Sequence, residues 1–77
     1  FDLGIATQNL CLAAHSLGLG TVHVGLLNHE EAGKILGLPE DVKAVELIPL
    51  GYPDHEPAKP PRKELKEFVS KDRFGQK

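Results

Sequence analysis

Apolar residues recur at three- and four-residue steps through the first part of the chain, at Leu3, Ala6, Leu10, Ala13, Ala14 and Leu17. That spacing predicts a helix over about Leu3 to Leu17, with Asp2 as its cap and Gly18 as its stop. Ile5, Cys11 and Leu12 fall outside the stripe, as in a helix covered on two sides. After Gly18-Leu19-Gly20, the alternation in Thr21-Val22-His23-Val24-Gly25 predicts a short strand. Asn28 stands three residues before Glu31 and opens a second helix running to about Leu36, where Gly37 and Pro39 end it. Lys43 to Leu50 carries Val45, Leu47, Ile48 and Leu50 and reads as a strand covered on both faces, with Pro49 marking an edge or end. Lys63 to about Ser70 reads as a last short helix with Leu65, Phe68 and Val69 on one side.

Between the last two elements, the segment from Pro53 to Pro61 holds four of the six prolines and predicts an extended connection along a surface. The order is helix, strand, helix, strand, helix, which places the chain in the α+β class. No internal repeat is present.

Composition narrows the function classes. The chain has 77 residues, 40% hydrophobic and 26% charged, so it reads as one globular domain or a piece of one. A chain this short buries only ~60% of its unfolded surface and needs a staple or a partner. The single cysteine, Cys11, allows no internal disulfide. A net charge of -2 with interspersed signs gives no field for nucleic acid or anionic lipid, and neither partner is expected. No apolar run approaches the ~20 residues that span a bilayer, and a cytoplasmic location is the default expectation. The sequence contains no methionine and opens inside a helical pattern, which reads as part of a longer protein.

Several residues have plain structural readings. His15, His23, His29 and His55 lack metal-ligand spacing. Cys11, between Leu10 and Leu12, reads as a small packing residue without the positive surroundings that activate a thiol. Glu46, inside an apolar strand, requires a partner on a neighbouring strand or elsewhere in the protein. Gly18 and Gly20 lack the third glycine and preceding strand of a dinucleotide fingerprint, so they read as a helix stop and turn.

The segments D-x-G-I-A-x-Q-N-L-x-L-A-A-x-x-L-G-L-G-T at Asp2 to Thr21, V-H-V-G at Val22 to Gly25 and L-I-P-L-G-Y-P at Leu47 to Pro53 occur in that order. With I-L-G-L-P-E at Ile35 to Glu40 and P-P-R-K-E-L-x-E-F-V at Pro60 to Val69, they resemble the C-terminal half of the nitroreductase family. The resemblance covers essentially the whole chain. It implies that residues 1–77 form the C-terminal segment of one nitroreductase-like α+β domain, without the N-terminal part. It further implies an intertwined homodimer holding flavin mononucleotide (FMN) at its interface. In such an enzyme hydride passes from NAD(P)H through the flavin to a small-molecule acceptor such as a nitroaromatic or quinone.

By the same resemblance, the backbone at Val24 and Gly25 approaches the isoalloxazine edge, and Arg62 pairs with the flavin phosphate. Glycine suits close backbone approach, and a guanidinium fork suits a phosphate. No catalytic side chain is assigned, since the flavin carries the chemistry. The remaining contacts belong to an N-terminal arm, so these 77 residues alone are expected to be inactive. The competing reading is a non-enzymatic dimerisation or small-ligand-binding module on the same scaffold.

Overall fold

A computed structural model describes all residues from Phe1 to Lys77. The elements are α1 (Asp2–Ser16), β1 (Gly20–Thr21), α2 (His29–Leu36), β2 (Leu50–Gly51) and α3 (Leu65–Phe68). The architecture is α+β, with three helices and one two-stranded antiparallel sheet.

Helix α1 begins one residue earlier than the sequence pattern suggests. Phe1 is its N-cap and makes no side-chain cap bond, while Asp2 is the first helical residue. Asp2 therefore acts through its negative charge in the first turn rather than as the cap. At the other end Leu17 and Gly18 donate to the carbonyls of Ala14 and His15, and Leu19 also returns to Ala14. Gly18 takes φ +80° to make that reversal.

Helix α2 follows its local signals closely. The Glu31 amide donates to Asn28 Oδ1 at 3.0 Å, while Glu30 and Glu31 lie in the first turn. Gly37 ends the helix at φ 67°, ψ 33°, and the Leu38 amide closes the turn onto the Gly33 carbonyl. His29, at the start of α2, donates from Nδ1 to the carbonyl of Ala44 at 2.7 Å and ties the helix to the segment before β2.

The strands are shorter than the sequence suggests. Gly20 pairs with Gly51 and Thr21 with Leu50, while Val24 and Leu47 form an isolated bridge farther along in the same register. The two predicted strands, Thr21–Gly25 and Lys43–Leu50, thus run beside each other, but continuous pairing is confined to their outer end. Pro49 has no amide to donate, which interrupts the ladder between Leu47 and Leu50.

Only one face of this pair is covered. Ala44, Glu46 and Ile48 are half-buried, whereas Val45 and Leu47 are each 45% exposed. Lys43 to Leu50 was expected to be buried on both faces, and within this chain it is not. Val45 and Leu47 line an open surface cavity together with Leu3, Leu36 and Leu38.

The same imbalance extends to the whole chain. Ala14, at 5% exposed, is the only buried residue, and the accessible surface is 7291 Å². A compact monomer of this mass would expose about 4,600 Å². The radius of gyration is 17.5 Å, against about 11.5 Å for a compact chain of this length. Helix α3 is four residues long, shorter than the expected Lys63–Ser70, and its Leu65 and Phe68 are exposed. A helix needs an apolar surface to lie on, and none reaches this one.

Candidate functional site

The backbone at Val24 and Gly25 sits where β1's direction is continued by the bridge to Leu47. Val24 N–H donates to the Leu47 carbonyl at 2.9 Å, and Leu47 N–H returns to Val24 at 3.0 Å. The Val24 amide is therefore already committed. Gly25 differs: its carbonyl accepts from Leu27 at 3.1 Å, but its N–H donates to no protein acceptor. Gly25 is exposed, and a Cβ built there would meet no atom within 4 Å. The chain thus presents one unpartnered backbone donor at a position open to a flat ligand.

Arg62 lies in the segment before α3, exposed, with one terminal nitrogen donating to the carbonyls of Pro60 at 3.1 Å and Pro61 at 3.5 Å. No carboxylate pairs with it. A guanidinium has five N–H donors, so most of its capacity remains for an anion. None of the four surface cavities is lined by Val24, Gly25 or Arg62. Within these residues the two expected contact points do not close a shared pocket.

A second group of side chains was not legible as a unit. His23 and Glu46 extend to the same face of the paired segments as diagonal neighbours, with His23 Nδ1 3.4 Å from Glu46 Oε2. From α1, Cys11 Sγ lies 3.5 Å and Gln8 Oε1 3.2 Å from His23 Nε2. Glu46 therefore has its partner inside this chain. Cys11, read from its neighbours Leu10 and Leu12 as inert packing, instead faces an imidazole. Helix packing, not chain adjacency, supplies its surroundings. The available signal was the pair of polar residues His23 and Glu46 inside otherwise apolar strands. No group of three or more histidine, cysteine or acidic side chains converges as a metal site.

The family model described as the Nitroreductase family matches residues 1–52. The chain belongs to the nitroreductase family. It is 45% identical over 60 residues to a Methanothermobacter thermautotrophicus protein provisionally named NADH dehydrogenase/NAD(P)H nitroreductase, covering 73% of this chain and 31% of that protein. It is 44% identical over 63 residues to the NADPH-flavin oxidoreductase of Vibrio harveyi, covering 79% of this chain and 26% of the relative. It is 41% identical over 63 residues to the FMN reductase (NAD(P)H) of Bacillus subtilis, covering 79% of this chain and 25% of the relative. The chain thus spans between a quarter and a third of the length of these relatives.

The family match takes in Val24, Gly25 and the Cys11–His23–Glu46 group, and it stops at Tyr52, before Arg62. Two donors are open to a ligand, at separate places on the chain. Gly25 offers a neutral N–H at an unobstructed surface, and Arg62 offers a cation without a counter-ion. No helix of this chain is long and apolar enough to cross a membrane.

Proposed function

We propose that this chain is the C-terminal segment of a single nitroreductase-like domain whose whole protein is an FMN-dependent oxidoreductase. The protein takes hydride from NAD(P)H and delivers it to a small acceptor such as a nitroaromatic or quinone. The observation that carries the reading is the family match over residues 1–52, with relatives named NADPH-flavin oxidoreductase and FMN reductase.

FMN, when bound, supplies the two-electron carrier between nicotinamide and acceptor. The protein's part in these 77 residues is to bind and orient. The Gly25 N–H would hold the ring edge as a fixed backbone donor. The Arg62 guanidinium takes the phosphate.

The exposed apolar surface supports the remainder of the proposal. Ile5 and Leu12 on α1 and Leu17 at its C-cap, at 63%, 58% and 73% exposed, form surface of the kind that soluble chains cover with other protein. The rest of the domain and a second copy, in a homodimer, are the covering partners we infer.

Purification of the full-length protein tests this reading. Flavin absorbance in the purified protein, and NADH or NADPH oxidation that depends on an added nitroaromatic or quinone, are the expected results. A colourless protein that cannot be reconstituted with FMN would overturn the reading and leave a non-enzymatic module on the same scaffold.

A further inference from the structure

Gly25 owes its unpartnered amide to the register of the paired segments. Gly20 with Gly51, Thr21 with Leu50 and Val24 with Leu47 share one antiparallel register, which sets Gly25 across from Glu46. Val24 and Leu47 exchange both of their backbone bonds, so the next pair along is a non-hydrogen-bonded one, in which the N–H turns away from the partner strand. A slip of one residue would reverse this. The Gly25 N–H would turn toward the partner segment, and every side chain of one strand would change face.

Little backbone holds the register at this end. Pro49 stands opposite Val22 and has no N–H to give, so the Val24–Leu47 bridge is cut off from the ladder at Gly20–Thr21 and Leu50–Gly51. Past the bridge the chain leaves the strand, as the Leu27 N–H turns back onto the Gly25 carbonyl at 3.1 Å. The remaining link between the two segments here is made by side chains. His23 Nδ1 lies 3.4 Å from Glu46 Oε2, and these two residues directly precede Val24 and Leu47, the two halves of the bridge. His23 is braced in turn from α1, where the Gln8 side-chain amide lies 3.2 Å from Nε2 and can present either its oxygen or its NH2 group to that nitrogen. A one-residue slip would move His23 and Glu46 to opposite faces and break the link.

We propose that Glu46 and His23 are positioning residues that fix the Val24–Leu47 register and so keep the Gly25 N–H turned outward as a donor for FMN, a role that rests on the FMN reading above. Neither side chain touches the cofactor in this role. They set the fraction of molecules whose amide is in place, and the apparent affinity scales with that fraction.

Two measurements on the full-length protein test this. In the flavin-free protein, NMR-detected protection of the Val24 and Leu47 amides against hydrogen exchange falls about 2–5-fold in Glu46→Ala and in His23→Ala, the range for a partly exposed ion pair, while Gly20 and Gly51 keep theirs. Titration with FMN shows Kd rising about 2-fold or more, bounded by the same factor. Glu46→Gln keeps an uncharged acceptor for Nδ1–H and restores most of both losses, and the double variant loses no more than either single one. Unchanged protection at Val24 and Leu47 overturns the proposal whatever the flavin does. So does lowered protection with undiminished FMN affinity, or a loss that Glu46→Gln leaves in place, which would assign it to the charge of Glu46. A wild-type protein that binds no FMN overturns the FMN reading instead, and the exchange rates still decide whether the pair holds the bridge.

Discussion

His23 Nδ1 and Glu46 Oε2 stand 3.4 Å apart across two segments separated by more than twenty residues of sequence, on the face of the strands that α1 covers. The pair answers why a carboxylate sits inside an apolar strand. It also predicts a modest energetic role, because both side chains retain solvent contact and the pair is screened. Glu46→Gln in the full-length protein is expected to change unfolding free energy by less than ~1 kcal/mol, as read by chemical denaturation. A loss several times larger would mean that the pair is desolvated in the whole protein.

Gly25 offers a clean separation of binding from folding. Since a Cβ at this position meets nothing within 4 Å and no left-handed φ is required, Gly25→Val is sterically acceptable to the fold of this chain. We expect the variant to retain its thermal transition within a few degrees and to lose FMN, measured as flavin released on dialysis. Retention of flavin would place the ring elsewhere.

Arg62 should matter through charge and geometry together. Arg62→Ala is expected to weaken FMN binding by about 1.5–3 kcal/mol, the scale of a hydrogen bond to a charged group. Arg62→Lys should recover only part of this, because a point charge replaces a fork. Flavin titration by fluorescence quenching in the full-length protein decides it, and unchanged affinity would make Arg62 a solvated surface residue.

The second helix provides a local stability test. Asn28→Ala removes the acceptor of the Glu31 amide and should cost about 1 kcal/mol. Gly37→Ala forces a Cβ into a φ of 67° and should cost a similar ~1 kcal/mol. Urea denaturation of the full-length variants provides the measurement. If Gly37→Ala is neutral, the turn has another conformation in the whole protein.

The isolated 77-residue chain should not behave as a well-packed monomer. With Leu3, Ile5, Leu12 and Leu17 all more than half exposed, sedimentation over a concentration series is expected to show association that Leu12→Glu reduces. A folded monomer at high micromolar concentration, or association indifferent to Leu12→Glu, would show that the Ile5 and Leu12 face of α1 is not an interface.

The amino-acid sequence by itself determined the features that depend on near neighbours. Asn28, Glu31 and Gly37 bound α2 because a cap and a left-handed glycine act within one helical turn, and the three- and four-residue apolar spacing sets α1 for the same reason. The ordered segments from Asp2 to Tyr52 also sufficed to place the chain in the nitroreductase family. Tertiary structure decided what requires distant segments to meet. Continuous β-pairing is restricted to Gly20–Thr21 and Leu50–Gly51, since a strand exists only where its partner's donors are in register, and Pro49 removes one. The free amide of Gly25 and the committed amide of Val24 look alike in sequence and differ only because Leu47 lies opposite Val24. Cys11 acquired an imidazole rather than an apolar shell because helix packing brings together residues that chain order keeps apart, and side-chain chemistry is set by what lies within a few ångströms in space.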